Sequence, residues 1–171
     1  MESQVHISVT AEDLNAAQLF FMSEDENALA AQCVKINQHQ PCFTDVMRSL
    51  EMQGLPIEQV EDLLEAVFVV YYAYTEVNRL SLKTISMMEV INQVELYVIF
   101  INNYNRLKQV GHKSIDDLMF LSNPAVVEFA ASKLKDIYRV TANIPREASV
   151  SFFALLKAIE VEVEAIGSSA S

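Results

Sequence analysis

Between Glu65 and Thr75 the chain runs through nine consecutive apolar or aromatic residues, AVFVVYYAY, at positions 66–74. Nine is far short of the ~20 residues that a helix needs to cross a bilayer, and the run at 96–101 is shorter still. A stretch this dry has to be covered by the rest of the chain. Within 57–80, Val60, Leu63, Val67, Val70, Tyr74 and Val77 recur at steps of three and four and share one helix face. Phe68, Val69, Tyr71 and Ala73 fill the other faces of the same turns. That pattern predicts a central helix packed on several sides.

A second long helix is predicted from Ser86. Met87, Ile91, Val94, Val98 and Ile101 form one stripe on it, and Leu96, Phe100 and Leu107 a second. With only LSLKT between them, 57–80 and 86–110 are expected to be antiparallel neighbours and the most buried elements of the protein. Composition agrees with a helical class. Apolar residues are 51% of 171, with only 3 Gly and 4 Pro to make turns, and long helices with short connections bury such a chain best.

Helix starts are legible from capping chemistry, in which a Ser, Thr or Asp side chain accepts from a free backbone N–H and an acid follows three residues later. Thr10 with Asp13, Ser23 with Glu26, Ser86 with Glu89 and Ser114 with Asp117 fit the pattern. Thr44 is expected to cap a further helix. Pro56 and Pro124 suit first-turn positions of two more, while Gly54 and Gly111 fall where helices end. Together with REASVSFFALLKAIEVEVEAI, the expectation is an all-α, single-domain bundle of about eight helices over 1–171. Residues 1–9 read as an extended arm and 167–171 as a disordered tail. The segment IEVEVEAI alternates like a strand, but FFALLKAIEV leads into it without a breaker, so helix is expected.

Charge narrows the partners. The net charge is −11, and residues 1–65 hold 12 acidic against 2 basic side chains, while 66–171 hold 11 and 10. An acidic chain is poorly suited to nucleic acid, where Lys and Arg supply the affinity by displacing counterions, and to anionic membrane surfaces. Two cysteines, and an N-terminus with neither a basic nor an apolar leader region, lead to the expectation of a reducing, cytoplasmic setting.

No residue set carries a catalytic or cofactor signature. None of the three histidines has Glu three residues before it, as a dimetal carboxylate bundle needs. Cys33, His39 and Cys42 lie close in sequence, but without a CxxC pair or a fourth ligand they read as buried thiols beside a loop histidine. Three isolated glycines cannot build a phosphate-cradling loop. The expectation is therefore no catalytic, cofactor or metal residues, and a non-enzymatic protein, adaptor, chaperone-like or inhibitor, that acts through protein surfaces.

Two surfaces are singled out. Glu24, Asp25, Glu26, Glu58, Glu61 and Asp62 cluster in first turns, where the helix dipole favours acids, and they form the candidate docking face for a basic partner. Charged residues are only 20% of the chain and mean hydropathy is +0.19, which leaves apolar surface to be covered by a homodimer. The expected places are the C-terminal helix, around Val150, Phe153, Leu156 and Ile159, and the central run. The alternative is a small-molecule sensor with a pocket between the two long helices, lined by Tyr72, Glu76, Asn92 and Glu95.

Overall fold

The computed structural model describes residues 7–23, 25–109, 120–141 and 146–169, with side chains given except at 107–109 and 138–141. These residues are all-helical, without a strand, and form seven α-helices: α1 (Ala11–Phe21), α2 (Glu26–His39), α3 (Pro41–Met52), α4 (Ile57–Tyr72), α5 (Met87–Gln109), α6 (Pro124–Thr141) and α7 (Arg146–Ser169). A π-helical turn, Ala73–Val77, extends α4. The helix expected from Ser114 lies outside the described residues.

The nine-residue run forms the end of α4 and the first turn of its extension. Six successive residues, Ala66 to Tyr71, are buried, followed by Ala73 and Tyr74. Valine is a mediocre helix former, at a cost of roughly 0.5 kcal/mol against alanine. Burying its side chain stabilises by about 1.5–3 kcal/mol, so packing overrides propensity. Neighbours on every side make this burial happen: α4 packs against α1, α3, α6 and α7.

The second long helix behaves differently from expectation. It lies along α7, not beside α4. Only Val90 and Tyr97 of its described side chains are buried. The covered stripe runs through Val90, Val94, Tyr97, Ile101 and Tyr104, which keeps Val94 and Ile101 of the expected stripe and takes Val90 and two aromatic residues in place of Met87, Ile91 and Val98. Aromatic packing selects it: Tyr97 stacks on Phe153 at 5.1 Å and meets Phe120 edge-on at 4.7 Å. The second central element is instead α7, whose Val150, Phe152, Leu155, Leu156, Ile159 and Val163 are all buried. No apolar face is left over there. Helix also continues through Gly167 to Ser169, where a disordered tail is expected from sequence.

Caps follow sequence where the box is complete. Thr10 and Asp13 close a reciprocal box on α1, and Ser86 with Glu89 does the same for α5. Two assignments change. Asp25, not Ser23, caps α2 by accepting from Ala28 N–H at 3.0 Å. α3 begins at Pro41, so Thr44 sits inside the helix and its hydroxyl donates to Asn37 Oδ1. Residues 7–10 of the N-terminal arm have no regular secondary structure, with Thr10 extended and Val9 buried.

Three buried polar side chains hold the connections. Gln40 alone separates α2 from α3, and the following proline keeps it out of the α-region, at φ −133° and ψ 63°. Its amide is fully buried: Nε2 donates to Lys83 C=O at 2.7 Å and to Tyr71 Oη at 3.4 Å, and Oε1 accepts from Ile85 N–H at 2.8 Å. The side chain thus satisfies a C=O and an N–H two residues apart in the segment between the π turn and α5, as a neighbouring strand would. Asn123 caps α6 by accepting from Ala125 N–H, while its Nδ2 donates to Val9 C=O at 2.9 Å and to Tyr74 Oη at 3.3 Å. Glu160, 2% exposed, accepts from the backbone N–H groups of Ser122 and Asn123 at 2.7 and 2.9 Å.

Gln40→Ala is expected to cost about 2–4 kcal/mol, because it strands the carbonyl of Lys83 and the N–H of Ile85 away from a partner; urea unfolding measures it. A second expectation concerns alkali. Burial pushes the hydroxyls of Tyr74 and Tyr97 up to about 12 from 10.0. Each is deprotonated in the unfolded chain first, so the stability they contribute is complete below pH 10 and lost between pH 10 and 12. Tyr97→Phe is expected to reduce that loss, as followed by thermal melts across the window.

Candidate functional site

The residues singled out from sequence go to different places. Tyr72 is half-buried and stacks on Phe20 of α1 at 4.7 Å. Glu76, in the π turn, accepts from Lys35 Nζ of α2. Asn92 and Glu95 are exposed on α5, so the cleft that contains Glu76 takes its walls from elsewhere. Of the acidic set, Asp25 is an N-cap, Glu26, Glu58, Glu61 and Asp62 are exposed, and Glu24 lies outside the described residues. Cys42 is core, with burial pushing its thiol up to about 11, whereas His39 is exposed. Among the described residues no cluster of three His, Cys, Asp or Glu could hold a metal ion, and no helix is long and apolar enough to cross a membrane.

A cleft of about 260 Å³ opens where α2 passes the end of α4. Lys35, Ile36 and His39 line it from α2, Glu76 and Arg79 from the end of the π turn, and Leu80 and Leu82 from the segment beyond. The helix widens here for local reasons. Thr75 Oγ1 donates back to Tyr71 C=O at 2.9 Å, and Asn78 places both its backbone N–H, at 3.0 Å, and its Nδ2, at 2.8 Å, on Ala73 C=O. Leu80 N–H then reaches back to Tyr74 C=O at 3.1 Å, closing the helix in the manner of a Schellman turn.

Such a closure needs a left-handed residue, and here it is Arg79, at φ 57°. Glycine or asparagine is usual at this position, and a side chain there costs about 1–2 kcal/mol. Arg79 gains nothing visible for that cost, since its guanidinium has no hydrogen bond or ion pair among the described residues. Spacing puts Arg79 on the polar line of Tyr72 and Glu76, but its left-handed backbone is not legible, because VNRLS contains no glycine to mark it.

A second arrangement resembles a nucleophile and its base. Lys157 Nζ donates to Ser122 Oγ at 2.7 Å. The lysine also meets Glu160 at 3.2 Å and Glu164 at 3.6 Å, and Ser122 Oγ gives its own proton to Glu164 at 2.9 Å. Lys157, Ser122 and the two carboxylates are thus tied to one another, and the group braces the start of α6.

The third feature is apolar. On α5, Met88, Ile91, Leu96 and Ile99 are exposed by 64, 42, 52 and 56%, and Met87 by 40%. Beside them Val94 and Val98 turn into a groove of about 440 Å³, completed by Gln53, Arg146, Glu147 and Val150. No family model, curated protein or solved structure matches this chain.

Arg79→Gly removes the left-handed strain at the expense of extra freedom in the unfolded chain, about 0.5–1 kcal/mol. The expected balance is a gain of up to about 1 kcal/mol, checked by urea unfolding.

Proposed function

We propose that this protein is a non-enzymatic interaction module that self-associates through the outward face of α5. The observation that carries the reading is the run of large apolar side chains on one exposed helix face, next to an unfilled groove on the same helix. A ridge beside a groove is self-complementary. In a two-fold pair each ridge enters the partner's groove, so one patch serves both subunits. The same face carries Asn92, Glu95 and Arg106, all exposed, which interleave with the apolar side chains and give the mixed polar and apolar surface of a non-obligate interface. At 23 residues, α5 is about 35 Å long. That length, with the groove beside it, is enough for the ~800 Å² per partner of a stable interface.

The acidic helix starts support a lesser role. Asp13, Asp25 and Glu89 are spent on capping, leaving Glu26 at the start of α2 and Glu58, Glu61 and Asp62 at the start of α4 exposed and free to meet a basic partner. A cytoplasmic protein with such carboxylates would bind that partner in a salt-dependent way.

Light scattering is expected to give twice 19.2 kDa at tens of micromolar chain. Ile91→Glu and Ile99→Glu alter side chains already in solvent, so both variants are expected to remain folded and to become monomeric. Leu19→Glu, equally exposed but on α1, is expected to stay dimeric. A monomeric wild-type chain would overturn the reading.

A further inference from the structure

The cleft at the end of α4 has a charge layout that self-association does not use. One wall carries Arg79, whose guanidinium is unpartnered among the described residues and whose backbone is held left-handed at φ 57°. A residue kept in a strained conformation, where glycine would serve the turn better, points to a job for its side chain. Also in the lining is Glu76. Lys35 occupies its Oε1, and its Oε2 has no hydrogen bond among the described residues. Ile36, Leu80 and Leu82 supply the apolar part of the lining.

The sum of charges selects the ligand class. Lys35 and Arg79 against Glu76 leave one formal positive charge. Two helix ends, those of α2 and of the extended α4, meet here, and each contributes roughly half a negative charge. The cleft is therefore close to neutral overall, with its positive and negative groups separated. A phosphate dianion would be left uncompensated in it, as would a bare ammonium. A molecule that carries one charge of each sign matches it. The volume, about 260 Å³, lies below the roughly 300–1,000 Å³ of sites for drug-sized molecules and suits about ten heavy atoms.

We propose that this cleft binds a free α-amino acid with an apolar side chain. The carboxylate is held by Arg79 in the forked geometry that guanidinium offers. The ammonium meets the free oxygen of Glu76, and the side chain covers Ile36, Leu80 and Leu82. The wall that carries these contacts is set before any ligand arrives. Leu80 N–H is tied to Tyr74 C=O on one side, and Gln40 holds Lys83 and Ile85 on the other. Little ordering is then required on binding. The proposal is independent of the dimer, since it uses none of the α5 residues.

Isothermal titration of the full chain with L-leucine, L-isoleucine, L-valine, L-methionine and L-phenylalanine tests it. At least one is expected to bind saturably with a Kd in the micromolar to low millimolar range, about 10 μM to 1 mM. The same titration is run with that amino acid's two truncated forms, for leucine 4-methylpentanoate without the ammonium and isopentylamine without the carboxylate, and with inorganic phosphate. Each of these is expected to bind at least about tenfold more weakly. Arg79→Gly, which the turn favours, is expected to melt no lower than the parent and yet lose about tenfold or more in affinity. Glu76→Gln tests the ammonium contact separately and is expected to weaken binding as well. Absence of binding by all five amino acids would overturn the proposal. So would truncated acids or phosphate binding as tightly as the amino acid, or either variant binding as the parent does.

Discussion

A single side-chain amide, that of Gln40, decides where the chain goes after its most buried helix. α4 delivers the backbone to the edge of the core at Tyr74, and the next α-helix does not begin until Met87. Between them the chain has left one ladder of backbone hydrogen bonds and not yet entered another. A non-helical segment in that position carries donors and acceptors that would be costly to bury alone. Gln40 presents both an N–H and a C=O in fixed relation, and so meets Lys83 and Ile85 as a strand would. It can do so because Pro41 holds the α2–α3 junction in a conformation that turns residue 40 inward.

The same solution recurs at the other end of the core. Asn123 joins the N-terminal arm, the end of α4 and the start of α6, and Glu160 of α7 satisfies the two backbone donors just before α6. The hydroxyls of Tyr71 on α4 and of Tyr74 in its π-helical extension accept from the amides of Gln40 and Asn123 respectively. Apolar burial thus brings α4 and α7 together, and a few polar side chains fix the path between helices. Burial is roughly indifferent to direction, whereas a buried amide left without its partners costs more than it returns when paired. The polar contacts therefore supply specificity at the places where packing alone would allow alternatives.

This division explains which parts were legible in the sequence. The helical class, the burial of the apolar run and the complete capping boxes at Thr10 and Ser86 rest on local patterns, and the structure has them, although the helix expected over 57–80 ends in a π turn at Val77. The polar clamps rest on long-range meetings. Gln40 and Lys83 are distant in sequence, and HQP reads only as a helix break. Glu160 left a trace, an acid at a position that Leu156, Ile159 and Val163 place on the buried face, but its partners could not be read from it. The left-handed backbone of Arg79 left none, since an arginine in such a turn looks from sequence like any helix-end cation. The four residues grouped as a pocket lining were grouped on the premise that α5 lies beside α4. With α5 on α7 instead, Glu76 finds its counterparts on α2 and beyond the π turn.

The stripe on α5 marks the limit of periodicity as a guide. Met87, Ile91, Val94 and Val98 do lie along one side of the helix, as their spacing requires. That side runs from solvent at Met87 and Ile91 into the groove at Val94 and Val98, while the aromatic side, Tyr97 with Phe100 and Tyr104, takes the contact with the core. Aromatic rings win that competition because each buries more area than a valine or methionine and adds edge and stacking contacts with Phe120 and Phe153. An apolar stripe records that a face is suited to lying against something dry. Which face the chain itself covers is settled by which offers the larger gain on folding, and on α5 that leaves Met87, Met88, Ile91, Leu96 and Ile99 in solvent.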